Sequence, residues 1–164
     1  MLSIIQSMKD LNFSALMEVY ADGNLENARE LYPQLPEGQG ILQAEQDFHQ
    51  YLREAFFQTA GAYYAVWQQG GRYVCALRLE PYRDGLLLNG LETAPEYRRQ
   101  GFARKLIQAV LGLCEDGKVY SHVHKKNTPS LQLHLQCGFR RISEQAVYLD
   151  GSVNSRCCTL LYQR

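Results

Sequence analysis

The sequence has no excess of charge of either sign, because 17 Lys and Arg residues balance 17 Asp and Glu residues. A domain that binds nucleic acid through its phosphates usually carries a clear basic excess. No apolar run approaches the roughly 20 residues of a membrane-spanning helix, and no basic segment precedes the short apolar stretch at the start, as it would in a signal peptide. We therefore expect a cytoplasmic protein with neither a nucleic-acid nor a membrane partner.

The five cysteines lack the spacing of a functional cluster. The sequence contains no CxxC pair and no Cys/His group, so the usual pattern of a structural zinc site is missing. Their odd number also argues against a disulfide framework. We interpret the cysteines as reduced packing residues and expect no metal.

The chain is long enough, at 164 residues, for one domain with one buried core, and we treat 1–164 as a single domain. Strand and helix periodicities alternate along it and predict an α/β fold in the order β-α-α-β-β-β-α-β-α-β-β, with helices packed on a mixed sheet. The predicted strands cover residues 2–7, 63–67, 73–79, 86–93, 119–124, 140–149 and 156–161.

Apolar residues at helical spacing predict helices over 12–20 and 25–32, followed by a loop over 33–40. The next helix places Phe48, Tyr51, Leu52, Ala55 and Phe56 on one face. A later helix has a core-facing stripe and closes at Glu115, Asp116 and Gly117; the stripe consists of Phe102, Leu106, Ala109, Val110 and Leu113. We expect Thr128 to be the N-cap of a last short helix that ends at Gly138.

Residues 98–103 join a predicted strand to a predicted helix. A loop of this kind presents unpaired backbone N–H groups and the positive end of the helix dipole, which together bind phosphate. Gly101 would let the backbone approach a phosphate closely, and the small Ala103 leaves room for it. Taken alone, the segment fits a surface loop with solvated arginines better, and it has neither a Walker ending nor a dinucleotide glycine triplet. The nearby arginines are Arg98, Arg99 and Arg104.

The surrounding sequence decides between these interpretations. Residues 91–106, LETAPEYRRQGFARKL, closely resemble the acyl-CoA-binding segment of the GNAT superfamily of N-acetyltransferases. The family pattern Gln/Arg-x-x-Gly-x-Gly/Ala falls on Arg98, Gly101 and Ala103. About thirty residues later, Asn127-Thr128-Pro129-Ser130, then His134 and Gly138-Phe139, resemble the family's second signature, an Asn that opens a helix ending in Gly-Phe. The resemblance is specific over residues 86–139.

The resemblance implies a GNAT-like mixed central sheet of about six to seven strands flanked by helices. The central strand would part from its neighbour at a bulge, and the pantetheine arm of acetyl-CoA, the implied cosubstrate, would enter the gap. Backbone groups of the central strand would bind pantetheine, the loop amides would bind the pyrophosphate, and the second signature would lie beside the arm. The implied binding residues are Leu91, Thr93, Arg98, Arg99, Gln100, Gly101, Phe102, Ala103, Arg104, Asn127 and Ser130.

The implied reaction is direct acetyl transfer from the thioester to a primary amine, without a covalent enzyme intermediate. Glu92, one residue before Thr93 on the central strand, is our candidate base. The alternative is that Glu92 is a partly solvated strand residue at the mouth of the cleft. Glu96 is a weaker candidate, since a loop carboxylate near arginines is more often an ion-pair partner.

The sequence departs from the family at His134. Many members place a tyrosine four residues before the glycine of Gly-Phe, near the cofactor sulfur. An imidazole with a pKa near 6.5 can also protonate the leaving thiolate; alternatively, His134 packs against the pantetheine and solvent supplies the proton. The missing tyrosine leaves a second function open, a catalytically silent acyl-CoA-binding regulatory module, although the presence of Glu92 argues against it.

The acceptor is not identified by the sequence. We expect it to be a small-molecule or protein amine, held by the first two helices, the loop 33–40 and the final hairpin 148–159. His122 and His124 share a strand face, and we interpret them as a surface or cleft-lining pair rather than as metal ligands. Homodimers are common among the relatives that the resemblance implies.

Overall fold

A computed structural model describes residues 1–114 and 117–164. Within these residues the strands are β1 (Leu2–Ile5), β2 (Tyr63–Gln69), β3 (Arg72–Tyr82), β4 (Gly85–Thr93), β5 (Lys118–His124), β6 (Arg140–Ser143), β7 (Ala146–Val147), β8 (Val153–Asn154) and β9 (Cys157–Gln163). The helices are α1 (Phe13–Val19), α2 (Ala21–Leu31), α3 (Glu37–Glu54), α4 (Phe102–Leu113) and α5 (Thr128–Gln136).

Seven strands form one mixed sheet in the order β1-β2-β3-β4-β5-β9-β6, and β7 and β8 form a separate two-stranded ribbon. The pair β4–β5 is parallel, with α4 in the crossover between the two strands, and the remaining pairs are antiparallel. The expected α/β architecture with a mixed sheet of six to seven strands is therefore confirmed.

Each face of the sheet has its own apolar core. On one face, α4 packs its buried residues Leu106 and Ile107 against Leu77 of β3 and Leu88 of β4. We call this the α4 face. On the other, the α1–α3 face, the core forms from helix residues and from Tyr64 of β2. None of the helices in the described residues is long and apolar enough to cross a bilayer.

A β-bulge interrupts the pairing of β3 with β4. Ala76 pairs with Glu92 but Arg78 pairs with Asn89, so two residues of β4, Gly90 and Leu91, oppose a single residue of β3. The φ of Gly90 is +59°, a conformation that glycine adopts at little cost. The extra residue inverts the alternation of side chains beyond it. Leu91 packs on the α4 face, and Glu92 turns to the α1–α3 face.

Several predicted boundaries are wrong in the helical half. The loop predicted over 33–40 ends early, because α3 begins at Glu37 and includes Gly38 and Gly40. Gly40 suits a helix here because a Cβ at this position would lie 3.5 Å from the Cβ of Ala28, where α2 and α3 pack closely. Leu113 is 57% exposed rather than core-facing. The predicted closing residues Glu115 and Asp116 lie outside the described residues.

The carboxy-terminal part also differs from the expectation. The predicted strand over 140–149 is two strands, because β6 pairs with β9 whereas β7 pairs with β8. The N-cap of α5 is Asn127 rather than Thr128, since its Oδ1 accepts a hydrogen bond from the Ser130 amide at 3.2 Å. Gly138, with a φ of +94°, follows the C-cap of α5 as predicted.

The bulge leads to a stability prediction. A Cβ at Gly90 would lie 3.2 Å from the Tyr20 hydroxyl oxygen and 3.4 Å from Arg78 Nε. Gly70, with a nearly equal φ of +56°, has nothing within 4 Å of an added Cβ. We expect Gly70→Ala to lower the free energy of unfolding by about 1 kcal/mol through backbone strain alone, and Gly90→Ala to lower it further. Urea unfolding of both variants checks this; equal losses would show that the bulge tolerates a side chain.

Candidate active site

The parallel strands β4 and β5 part in the middle of the sheet. They pair only from Gly85 with Lys118 to Leu88 with Ser121, and beyond that point each strand continues without the other. A cavity of about 190 Å³, which we call the cleft, fills the gap between them. Residues of both strands and the start of α5 line it, so the expected splay is present. The predicted site residues that border the cleft are Leu91, Glu92, Asn127, Ser130 and His134.

The loop before α4 presents unpaired amides at the same end of the sheet. Gly101 is the N-cap of α4 with a φ of +81°, no side chain caps the helix, and its first turn contains no acidic residue. The helical hydrogen bonds begin with the Lys105 amide, which donates to the Gly101 carbonyl at 3.0 Å. The amides of residues 102–104 therefore have no acceptor within the helix, and the positive end of the dipole is uncovered.

The residues of this loop fit a phosphate group. An added Cβ at Gly101 would meet nothing within 4 Å, and a groove of about 310 Å³ runs along the loop. Arg99 has a φ of +61°, a strained conformation that costs of order 1–3 kcal/mol in a non-glycine residue and is typical of ligand clamps. The groove is lined by Thr93, Tyr97, Arg98, Arg99, Gly101, Phe102, Ala103, Arg104 and Leu133.

Two of the implied cofactor-binding residues, Arg98 and Gln100, have side chains that bond to neighbouring parts of the protein. Arg98 donates from Nε to the Thr93 carbonyl at 3.0 Å and forms an ion pair with Asp22 of α2 at 2.6 Å. Gln100 donates from Nε2 to the Glu96 carbonyl at 3.1 Å and does not line the groove. These side chains therefore fix the shape of the loop, and only the backbone of Gln100 is available to a ligand.

Glu92 has the environment of a base. Its carboxylate packs so closely against Gly23 of α2 that a Cβ there would collide with it. Burial raises its pKa to about 7; the nearby Arg98 guanidinium lowers the pKa, whereas the carboxylates of Glu26 and Asp22 raise it. A carboxylate with a pKa near the working pH can accept a proton efficiently.

His134 is enclosed by hydrogen bonds and is only 1% exposed. Its Nδ1 lies 2.8 Å from the Ser130 carbonyl oxygen, which can only accept, so Nδ1 carries the hydrogen. Nε2 then accepts from the Ser121 hydroxyl at 3.1 Å. Burial lowers the pKa of His134, so the imidazole is mainly neutral near pH 7. In this form it has no proton for the cleft, and the Ser121 hydroxyl, which lines the cleft, is its contact there.

A second, smaller cavity of about 110 Å³ lies on the α1–α3 face of β4. Glu92 and Gly90 border both this cavity and the cleft, and the Tyr20 hydroxyl donates to the Gly90 carbonyl at 2.5 Å. The predicted acceptor loop 33–40 does not line it. The lining residues are Tyr20, Gly23, Asn24, Asn27, Phe48, Arg78, Gly90 and Glu92.

Sequence reasoning gave no role to Ser121, Tyr20 or Arg78. Arg78 could have been singled out from the sequence, because it is the one charged residue in an otherwise apolar run, YVCALRL, of a buried strand. Gly90, isolated within a strand pattern, was also a signal for a bulge.

His122 and His124 border the cleft, as one of the two interpretations of this pair predicted. The His122 ring packs edge-on between Tyr82 and Tyr148, with ring centroids 5.4 and 5.5 Å away. Within residues 1–114 and 117–164, no three His, Cys, Asp or Glu side chains are grouped as metal ligands.

Comparison with known proteins places these features in a family. Residues 25–139 match the sequence profile of the acetyltransferase (GNAT) family. No curated protein matches the chain in sequence.

Solved structures with the same fold cover almost the whole chain. The PaiA N-acetyltransferase of Thermoplasma acidophilum, in complex with coenzyme A, has a TM-score of 0.65 at 12% identity, covering 100% of this chain and 99% of that one. An acetyltransferase of Streptococcus agalactiae has a TM-score of 0.67 at 16% identity, covering 99% and 98%. The spermidine N-acetyltransferase of Vibrio cholerae, in complex with CoA and spermine, has a TM-score of 0.61 at 18% identity, covering 99% and 95%. At these identities the likeness shows the fold.

The loop geometry leads to a binding prediction. Gly101→Leu places a side chain in the open space above the amides and removes the freedom for the left-handed turn, so we expect CoA affinity, measured by calorimetry, to fall at least about 100-fold, the loss of two charge-assisted hydrogen bonds. Gly112→Leu is the matched control, because Gly112 lies in the same helix, is exposed and also has nothing within 4 Å of an added Cβ. Unchanged CoA affinity in a folded Gly101→Leu variant would contradict the site.

Proposed function

The chain belongs to the acetyltransferase (GNAT) family, and we propose that it transfers the acetyl group of acetyl-CoA directly to a primary amine of a small molecule or a protein. The observation that carries this proposal is the position of Glu92. This carboxylate forms part of the wall between the cleft, which would hold the thioester, and the smaller cavity on the α1–α3 face, which would hold the amine.

In this proposal the two signatures hold acetyl-CoA, which supplies the thioester carbonyl that the amine attacks. The amides of residues 99–104 bind the pyrophosphate at the uncapped start of α4. The backbone of Leu91 and Thr93 binds the pantetheine arm along β4, where the ladder to β5 has ended. Asn127 and Ser130 border the other side of the cleft.

Glu92 acts as the base. The acceptor amine arrives as an ammonium ion and becomes a nucleophile only after losing a proton, and Glu92 takes that proton when its carboxyl is ionised. Its pKa of about 7 lets it accept the proton at neutral pH and later release it to solvent. The backbone at the bulge, where the ladder to β3 is interrupted, is the proposed source of a donor to the thioester oxygen.

His134 supplies the leaving thiolate with a proton through Ser121. The Ser121 hydroxyl donates its proton to the sulfur and receives one from His134 Nε2 across their 3.1 Å hydrogen bond. The donor is the charged imidazole, which is the minor form near pH 7 because burial lowers the pKa of His134. The contribution of this relay therefore grows as the pH falls.

No cysteine carries the acetyl group in this mechanism. None of the five lines the cleft, the groove at the α4 loop or the smaller cavity. Burial raises the pKa of the Cys75 thiol to about 11, and it raises the pKa of Cys137 and Cys158 as well. Since the thiolate is the nucleophile, these groups are poorly suited to a covalent step.

The first test replaces Glu92 by Gln and measures thiol release from acetyl-CoA with a panel of amino acids, polyamines and peptides. We expect the parent kcat/KM to rise through pH 7 as Glu92 ionises. The variant should be slower at pH 7 by about 10²- to 10⁴-fold, the usual contribution of a general base. The loss should shrink at high pH, where more of the amine is already free.

Glu96→Gln is the matched control, because Glu96 is an exposed carboxylate four residues away; it should retain the parent rate. Glu92→Gln should also melt at a temperature no lower than the parent at pH 8. The folded pKa of Glu92 lies above the ordinary 4.5, so its ionisation destabilises the fold above pH 7 and not below pH 4.5.

A Glu92→Gln rate within a few-fold of the parent rate at pH 7 would show that Glu92 is not the base and would leave water and backbone as the catalysts. A parent that binds CoA but acetylates no amine would indicate the silent regulatory module.

A second test separates proton delivery from packing at His134. Ser121→Ala removes one atom between His134 and the cleft, and His134→Phe removes the imidazole while keeping its bulk. If the relay operates, both variants should lose about 10²-fold in kcat, most clearly at low pH, with CoA affinity little changed. If only His134→Phe is impaired, and its melting temperature falls with its rate, His134 has a packing role and solvent protonates the thiolate.

A further inference from the structure

An arginine, Arg78, lines the smaller cavity on the α1–α3 face, where the acceptor amine is proposed to bind. Arg78 projects from β3 on the α1–α3 face and lines the same cavity of about 110 Å³ as Glu92. Its guanidinium carbon lies 5.4, 5.6 and 5.9 Å from the ring centroids of Phe48, Tyr51 and Phe56. The aromatic rings hold the cation in one place and shield it from water on that side.

Within the part of the chain that the structure describes, this cation has no direct ion-pair partner. Arg78 Nε is buried and makes no hydrogen bond, and none of the ion pairs formed within the described residues includes Arg78. Glu80, two residues along the same strand, is buried and acts on Arg78 through its charge, but it forms no ion pair with the guanidinium and accepts a hydrogen bond from Asn89 Nδ2 at 2.8 Å. A buried guanidinium N–H without an acceptor is costly unless a ligand supplies one.

Arg78 and Glu92 lie on either side of the bulge. The point above Gly90 where a Cβ would stand is 3.4 Å from Arg78 Nε and 3.6 Å from its Nη2. Glu92 is two residues farther along β4 and faces the same cavity because the bulge turns it there. The cavity therefore presents a proton acceptor for an amine at one side and, at the other, a guanidinium held by aromatic rings, whose Nε–H has no acceptor within the described residues.

We propose that the acceptor is a small aminocarboxylate, a molecule with a primary amine and a carboxylate a few bonds apart. This inference rests on the proposed acetyl transfer. The amine lies at Glu92, and the carboxylate accepts paired hydrogen bonds from Arg78, the geometry in which a guanidinium binds a carboxylate best. The small cavity suits a compact acceptor.

The same cation selects against polyamines. A second ammonium group of a polyamine would approach Arg78 at short range in a partly desolvated cavity, where repulsion between like charges is strong. The spermidine acetyltransferase with a similar fold is named for a polycationic substrate, so this chain and that enzyme would differ in acceptor class although they share a backbone architecture.

The test compares an L-α-amino acid with its primary amide as acetyl acceptors. The amide keeps the amine and the side chain but has no charge for Arg78. The amine of the amide is also less basic than the amine of the acid, so more of it is unprotonated at neutral pH. Without a contribution from Arg78, the amide should therefore be the better acceptor. We expect the parent to prefer the acid by at least about 10-fold in kcat/KM, with spermidine poorer than both. Arg78→Met should lower kcat/KM for the acid by about 10- to 100-fold, mainly through KM, and the preference over the amide should collapse.

The Met side chain keeps apolar contact with the three aromatic rings. Arg72→Met is the control, because Arg72 is an exposed arginine on the same strand, and this variant should retain the preference for the acid. A purely structural role for Arg78 predicts equal losses for acid and amide, which would overturn the inference and leave acetyl transfer standing. Calorimetry of the amino acid with the CoA-bound protein covers the opposite case, in which the inference holds and the proposed function fails. Binding that Arg78→Met abolishes, without turnover of any amine, would support the inference and overturn the proposed function. An acid that neither binds nor reacts would overturn the inference as well.

Discussion

The site depends on a β-bulge, in which Gly90 and Leu91 of β4 oppose the single residue Leu77 of β3. In a regular strand Glu92 would point into the apolar core beneath α4, where an ionisable carboxyl would be destabilising. The inserted residue sends Leu91 into that core and turns Glu92 to the opposite face, beside α2. The left-handed Gly90 and its hydrogen bond from Tyr20 keep the bulge in place. The proposed catalytic carboxyl and the core packing can therefore share one strand.

Two environments with different electrostatics meet at this bulge. On the side of the proposed cofactor, uncapped amides and the helix dipole attract negative charge without burying a charged side chain, and Arg98 is held by the Thr93 carbonyl and Asp22. On the side of the proposed acceptor, Glu92 and Arg78 are both partly withdrawn from water, which raises the pKa of the carboxyl and leaves Arg78 Nε without an acceptor within the described residues. A ligand with complementary charges would relieve both.

Sequence patterns predicted the parts of the fold that depend on local chemistry. The strand-to-helix loop with Gly101, the left-handed Gly138 after α5 and the succession of strands and helices follow from periodicity and from residues that tolerate few conformations. The missed features depend on tertiary context. Gly38 and Gly40 indicate a loop, yet α3 forms because it packs closely against α2, where Gly40 meets Ala28. The separation of β7 from β6 depends on which strand each one meets in space. Arg78 was visible as a charge in an apolar run, but the role proposed for it follows only from the aromatic rings and the cavity around it.

The parting of β4 and β5 has a consequence for the protein outside catalysis. Each strand acquires an unpaired edge in the interior of the sheet, in addition to the outer edges formed by β1 and β6. Unpaired edges can pair with another chain and promote aggregation. A pantetheine arm that hydrogen-bonds to these edges would protect them and, by mass action, stabilise the folded state. The solubility and lifetime of the protein in a cell would then follow the local concentration of coenzyme A.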